Sequence, residues 1–129
     1  MEQQNYLIDT NAIIDYLGNK IPLNGMQFMN SVIDAVPNIS VITKIEVLGF
    51  NTTKSDYELL TSFMDDANVI ELSKEVADIC IDLRKKTKIK LPDAIIASTA
   101  LATNSVLITR NSVDFKNIDG LIVIDPHTV

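Results

Sequence analysis

The sequence carries a single cysteine, Cys80, and a single histidine, His127, in 129 residues. One thiol excludes an internal disulfide and a cysteine zinc cluster. One imidazole, close to the C-terminus, argues against histidine-paired catalysis and a His-rich metal site. Cys80 falls in a helical apolar stripe and reads as core. Basic charge is also short: 11 Lys and Arg stand against 17 Asp and Glu, a net charge of −6. A generic nucleic-acid binder is basic. Any nucleic-acid function must therefore come from a local basic patch, a metal, or both. Alternatively, the acidity suits a basic partner protein. No apolar run approaches a membrane span. The stretch from Met1 to Tyr6 lacks the basic start and apolar core of a signal peptide, so a cytoplasmic protein is expected. No glycine-rich turn is present, which argues against a nucleotide-binding Rossmann domain. There is no repeat, low-complexity tract or Pro/Gly-rich linker. With 47% apolar residues, one domain over residues 1–129 with a real core is expected.

The organising stretch is Asn5 to Leu17. An apolar run, Tyr6-Leu7-Ile8, drops without a spacer onto Asp9-Thr10-Asn11, and Ile13, Ile14 and Leu17 then recur at helical spacing. A strand passing straight into a helix leaves its last residues at the sheet's carboxyl edge, where open α/β sheets place ligands. Asp9 sits there. Taken alone, it reads as a helix cap.

The first helix stops near Gly18-Asn19. Asn24 opens a second, with Gln27 at capping-box spacing and Phe28, Met29, Val32, Ile33 and Val36 on its apolar face. Pro37 ends it. Ile39 to Ile42 reads as a short buried strand. Thr43 opens the next helix, with Glu46 three residues on and Val47, Leu48 and Phe50 behind. Ser55 and Glu58 form a further capping-box pair, introducing Leu59, Leu60, Phe63, Met64 and Ala67. Asn68 to Leu72 reads as a third strand. Ser73 caps a helix with Val76, Ala77, Cys80 and Leu83 inward, which runs out in Arg84, Lys85, Lys86, Lys88 and Lys90. Pro92 suits the first turn of the following helix. That helix, Asp93 to Ala102, is apolar nearly all round with Asp93 its only charge, so it should be buried between layers. Ser105 to Ile108 is a fourth strand, running into Thr109-Arg110-Asn111 and a loop with Asp114-Phe115. Leu121 to Ile124 is a fifth. Short apolar strands alternating with helices imply βαβ units and a parallel sheet.

Four acids then occupy special positions. Asp9 follows strand one, Glu46 lies on the first turn after strand two, Asp93 opens the buried helix and Asp114 follows strand four. In a parallel sheet every strand-to-helix junction lies on the same edge, so Asp9, Glu46 and Asp114 should share one mouth. Asp93 joins them if its helix begins there. Each acid has a local explanation. Glu46 closes a T-x-x-E box with Thr43, Asp93 favours the helix dipole, and Asp114 starts a turn. Convergence of all four is harder to explain locally. Clustered carboxylates repel and shift each other's pKa, so a fold tolerates them mainly to bind a cation. All-oxygen ligands suit Mg²⁺ or Mn²⁺. Such ions cleave phosphodiesters, often as pairs roughly 3.5–4 Å apart.

Four motifs in order, D-T-N-A-I-I-D-Y-L at 9–17, T-K-I-E-V-L-G-F at 43–50, L-P-D-A-I-I-A-S-T-A at 91–100 and L-I-T-R-N-S-V-D-F at 107–115, resemble the PIN-domain pattern. They fit especially the VapC-type toxins of prokaryotic toxin–antitoxin pairs. The resemblance covers nearly the whole chain. It implies a parallel sheet of order 3-2-1-4-5 flanked by helices, with the site between strands one and four. It implies a metal-dependent endoribonuclease with Asp9, Glu46, Asp93 and Asp114 as its acidic quartet on Mg²⁺ or Mn²⁺. Thr10, Asn11, Thr109 and Asn111 match the family's supporting positions. An RNA substrate such as tRNA, a cognate antitoxin and a homodimer are the expected partners. The segment Lys20 to Asn30 matches nothing diagnostic, and the overall charge is more acidic than a nuclease suggests.

The basic run from Arg84 to Lys90 either holds RNA phosphates, with Lys86, Lys88 and Lys90 as candidates, or is a solvated helix end that complements the dipole. Arg110 is the better single candidate for phosphate because it lies beside the quartet. Two other readings stay open. A phosphoacceptor receiver is α/β and binds Mg²⁺ at the same edge. It needs adjacent acids after strand one and a lysine after the last strand, where this chain has Asp9-Thr10-Asn11 and Asp125-Pro126-His127. The other is a catalytically silent PIN-like binding module.

Overall fold

The structure is a computed structural model and describes residues 4–129. In chain order the elements are β1 (Asn5–Ile8), α1 (Thr10–Leu17), α2 (Leu23–Asp34), β2 (Asn38–Ser40), α3 (Val41–Leu48) and α4 (Lys54–Asp66). They continue with β3 (Asn68–Ile70), α5 (Lys74–Lys86), α6 (Leu91–Ala102), β4 (Ser105–Ile108), α7 (Ser112–Phe115) and β5 (Val123–Ile124). The sheet has the order β3-β2-β1-β4-β5, and every pairing is parallel. This is the expected order, reversing between β1 and β4.

Strand side chains alternate between faces, and the two central strands divide the core accordingly. Leu7 and Leu107 join Cys80, Leu83, Ala94, Ile96, Ala97, Ala100 and Phe115, from α5, α6 and α7. Ile8 and Ile108 join Ala12, Ile13, Met29, Val32, Val47, Leu60 and Met64, from α1 to α4. Leu7, Ile8, Leu107 and Ile108 are all fully buried. Each such side chain contributes about 1.5–3 kcal/mol by leaving water. At the opposite, amino edge of the sheet a polar ladder ties strands together. Asn68 donates to Asn38 (2.8 Å), Asn38 donates to Ser105 (3.3 Å), and the Ser105 and Thr103 hydroxyls lie 2.8 Å apart.

Several boundaries differ from the sequence reading, each for a local reason. Helix α2 starts at Leu23 behind Pro22, without a side-chain cap bond, so Asn24 lies inside it. The φ of proline is already suited to chain entry into a helix. The helix stops at Asp34, and Val36 turns left-handed (φ 56°) before Pro37. Strand β2 ends at Ser40, not Ile42, because the Ser40 hydroxyl accepts from Ile42 N and caps α3. Thr43 is therefore a buried residue inside the helix and not a cap. The Thr43–Glu46 capping box does not form, and Glu46 lies on the second turn. Thr53, not Ser55, caps α4 by accepting from Asp56 N. Strand β3 stops at Ile70, β5 keeps only the two residues that pair with Leu107 and Ile108, and Asp114 lies on the short α7. Ser73 caps α5, Pro92 sits in the first turn of α6, and Gly18 closes α1, as expected.

Candidate active site

The site is built where β1 and β4 end side by side. Ile8 pairs with Ile108, so Asp9 and Thr109 leave adjacent strand ends, and Asp9 N donates to Ile108 O at 2.9 Å. Asp9 is buried, and Thr109 is fully so. One Asp9 oxygen accepts from Thr10 N (2.7 Å), which is its capping role at α1. The other accepts from the Thr109 hydroxyl (2.8 Å) and the Asn11 amide (3.3 Å). Asn11 also donates to Thr109 Oγ1 (3.3 Å), and its carbonyl oxygen accepts from Arg110 N (3.0 Å). Asp9 is thus both the helix cap and the centre of a polar net that joins the two strand ends.

Glu46 reaches the same mouth from α3, whose start at Ser40 turns it toward α1. The Thr10 hydroxyl lies 2.9 Å from Glu46 Oε1 and 3.2 Å from Thr43 Oγ1. Asp93 comes from the first turn of α6, half-buried, and Asp114 from α7, exposed. Two of these acids are perturbed by burial and by their neighbours. Burial pushes the Asp9 carboxyl above its ordinary value. Hydrogen bonds from Thr109 and Thr10 oppose this, and the charges of Asp93 and Glu46 add to it. Burial likewise raises Asp93, with Asp114 and Glu46 adding and Lys90 opposing.

A divalent cation fits this donor set by its chemistry. Among the described residues, no three carboxylate, imidazole or thiolate side chains stand close enough to grip one ion alone. Mg²⁺ rarely needs that: it keeps several waters and takes one or two carboxylates plus substrate phosphates. Two carboxyls held above their ordinary pKa by burial, with neighbouring negative charge adding to it, are what a cation would relieve.

The remaining candidates divide. Asn111 contributes its backbone, whose N–H donates to Thr109 Oγ1 at 3.1 Å, while its side chain makes no cap bond. Lys90 lies within electrostatic reach of Asp93. Lys88 and Asp114 line one small hollow, with Thr87, Ile89, Val113 and Asn117. Lys86 is paired along α5 with Asp82 at 2.9 Å. Arg110 is paired as well: its Nη1 lies 3.2 and 2.9 Å from the two oxygens of Asp15. Asp15 is buried, and its Oδ2 also meets His127 Nε2 at 3.0 Å.

Sequence reasoning passed over Asp15, Thr43 and His127. Ala12 and Ile13 face the core while Ile14 is partly exposed, so α1 is rotated to bring Asp15 inward. An apolar stripe read as Ile13, Ile14 and Leu17 hides that rotation. Thr43 was masked by its plausible role as a cap, and His127 by its place near the chain end.

A family model described as PIN domain matches residues 6–121. Among solved structures, the chain is similar to a toxin–antitoxin complex from Klebsiella pneumoniae, at 33% identity over 95% of this chain and 98% of that one, with a TM-score of 0.74. It is similar to VapBC2 from Rickettsia felis bound to a DNA fragment from their promoter, at 25% identity over 94% and 98%, with a TM-score of 0.76. It shares the fold of DNA-bound VapBC from Salmonella typhimurium, at 22% identity over 96% and 99%, with a TM-score of 0.80. No curated protein matches it.

Proposed function

The chain belongs to the PIN-domain family, and from that premise we propose that it is a Mg²⁺- or Mn²⁺-dependent endoribonuclease, the toxin of a prokaryotic toxin–antitoxin pair. The observation that carries the reading is the convergence of carboxylates at the mouth between β1 and β4: Asp9 held there by Thr109 and Thr10 N, Glu46 brought to the Thr10 hydroxyl, and Asp93 within the field of Glu46 and Asp114. The toxin assignment is supported by the 33% identity to a chain of the Klebsiella pneumoniae toxin–antitoxin complex.

Each residue has a role in the proposed reaction. Asp9, fixed by Thr109, Asn11 and Thr10 N, is the most rigidly held ligand. A divalent cation would be held by Asp9 with one further carboxylate, from Glu46, oriented by the Thr10 hydroxyl, or from Asp93, and its other positions would go to water and substrate phosphate, with Asp114 at the rim. A bound Mg²⁺ or Mn²⁺ supplies polarisation of the phosphate and of an attacking water. The chain's part is to hold the carboxylates in place and to bring phosphates in beside Lys88 and Lys90. The purified protein is expected to cleave tRNA in Mg²⁺ or Mn²⁺ and to stop in EDTA. Undiminished cleavage in excess chelator would sink the metal mechanism. Binding of RNA without turnover would favour a silent PIN-like module.

The partner belongs to the same reading. An acidic mouth suits an Arg or Lys from an antitoxin. The apolar helix faces around Phe28 and Phe63 offer one surface for an antitoxin's tail or a second copy, with both rings half-buried against the core. Ile14, Leu17, Phe50, Leu59 and Leu60 line an open apolar groove between α1 and α4. A homodimer would find a second apolar strip on α5, the start of α6 and the segment before α5, where Leu72, Ile81 and Leu91 are all more than half exposed. Expression of the chain alone should arrest growth, and co-expression of an antitoxin encoded by a small gene next to its own should rescue it. Normal growth without it, and nothing co-purifying, would remove the toxin reading. Among the described residues no helix is long and apolar enough to cross a membrane, and an RNA substrate puts the expected place of action in the cytoplasm.

A further inference from the structure

Asp15 takes no part in the acidic quartet, yet its side chain is only 6% exposed. A buried carboxylate is costly unless it is paired, and an apolar residue there would seal α1 more simply. Its pairing is specific. Both oxygens lie within reach of Arg110 Nη1, at 3.2 and 2.9 Å, and Oδ2 also meets His127 Nε2 at 3.0 Å. Arg110 remains half exposed. Its backbone is fixed too, because its N–H donates to Asn11 Oδ1, and Asn11 reaches Asp9. Arg110 is therefore held at both ends: its backbone is tied through Asn11 to Asp9 at the acid mouth, and its guanidinium is tied by one tip to Asp15.

The geometry of the pair decides what is left over. Nη1 is the nitrogen engaged by Asp15. The Nε–Nη2 edge has no partner among the described residues, and that edge carries the parallel N–H groups that match two oxygens of a phosphate. We propose that Asp15 is a positioning residue: it holds Nη1 of Arg110 so that the Nε–Nη2 edge grips an RNA phosphate next to the one being cleaved. This rests on the ribonuclease reading above. A guanidinium already held in place loses little freedom on binding. Its charge is also balanced by Asp15, which weakens any pull toward the Asp9 carboxylate. His127 shares Oδ2 and so fixes the carboxylate's rotamer from the far side.

The test uses fluorescein-labelled tRNA and the full chain. Binding is read by anisotropy in EDTA at several salt concentrations, and cleavage kinetics are read in Mg²⁺. Arg110→Ala should weaken binding about tenfold, as loss of a charge-assisted contact does, and lower the salt slope by about one. Asp15→Asn should weaken binding comparably and raise KM with kcat nearly unchanged. That direction is diagnostic. Removing a negative charge from an acidic protein would by general electrostatics tighten RNA binding, and only loss of aim weakens it. Arg110→Lys retains the charge and a partner for Asp15, so it should fold, and it should not restore binding, because an ammonium lacks the fork. Tight binding by Asp15→Asn, or restoration by Arg110→Lys, overturns the proposal while leaving the ribonuclease reading intact. A wild-type protein that neither binds nor cleaves RNA overturns that reading, and this inference with it.

Discussion

Thr109 donates its hydroxyl hydrogen to Asp9 at 2.8 Å, across the crevice between β1 and β4 and across 100 residues of sequence. Both residues are buried, so the bond is made where water cannot replace it. It is the firmest tie between the two halves of the proposed site.

Thr109→Val removes this donor at nearly constant shape. Asp9 Oδ2 is left with the longer Asn11 contact. Stability should fall by about 1–3 kcal/mol, the range for weakening the bonding of a buried carboxylate and leaving the Asn111 N–H without its Thr109 acceptor. Cleavage should fall about 10–100-fold, as for other residues that orient metal ligands. Thr109→Ser keeps the hydroxyl and should retain most of both. Urea midpoints and single-turnover cleavage check this, and a Val variant as active as Ser would separate the bond from the chemistry.

Asp93→Asn should abolish cleavage yet leave the metal-free protein as stable or more so, by about 0.5–2 kcal/mol, the usual range for relieving a functional site. The helix dipole opposes this by roughly 0.3–1 kcal/mol. The repulsion from Asp114 and Glu46 and the cost of burial act the other way and should win. Mg²⁺ should raise the melting temperature of the wild type and barely move the mutant's. Equal Mg²⁺ shifts in the two proteins would mean Asp93 is not a ligand.

The same residue predicts a pH dependence. The carboxyl of Asp93 is raised above its ordinary 3.8 in the folded protein, so the folded state binds more protons than the unfolded one between the two values. Stability then falls as pH rises through that window. The deficit is complete above the folded pKa and disappears as pH drops toward the ordinary one. The stability gap between metal-free Asp93→Asn and wild type should therefore shrink on acidification from neutral pH. A gap that stays constant or widens in paired denaturant titrations would contradict the burial and repulsion assigned to it.

Gly25→Ala should destabilise the protein. A methyl group at Gly25 would collide with the Pro126 carbonyl oxygen and the Ile21 side chain. Overpacking of this kind costs about 1–3 kcal/mol, against about 1 kcal/mol gained in helix propensity. The displaced segment carries His127, so the His127–Asp15 contact should loosen as well. A shift in the His127 ring resonances together with a lower urea midpoint checks both effects, and a more stable Ala variant would show that the tail yields freely.

Ile81→Asp tests the dimer. Ile81 is 54% exposed on α5, so the change should spare the fold; the wild type is expected to sediment as a dimer and the variant, at the same concentration, as a monomer. Identical sedimentation of the two proteins would move the interface elsewhere.

What was legible in the sequence follows a physical division. Strand and helix order, the parallel sheet, the cap at Ser73 and the proline in the first turn of α6 depend on residues a few positions apart, and these were readable. So were the positions of Asp9, Glu46 and Asp114 after strand ends, because a parallel sheet gathers all such junctions on one edge, whereas Asp93 follows a helix and meets Glu46 and Asp114 only because α6 begins beside them. Local signals became ambiguous where two caps competed: Thr43 and Ser40 are both good caps, and only the end of the β2 pairing selected Ser40. That choice turned Thr43 inward and let Glu46 meet Thr10. The Asp15 pairings were beyond any local signal. They join residues 95 and 112 positions apart and depend on the rotation of α1 about its axis. That rotation is set by Ala12 and Ile13 packing on the sheet, and on the last residues following β5 back past Gly25. By itself the sequence determined which side chains stand at the carboxyl edge. The tertiary structure decided which of them touch, because contact between distant residues depends on helix rotation and strand length, and packing fixes these only when the whole chain is assembled.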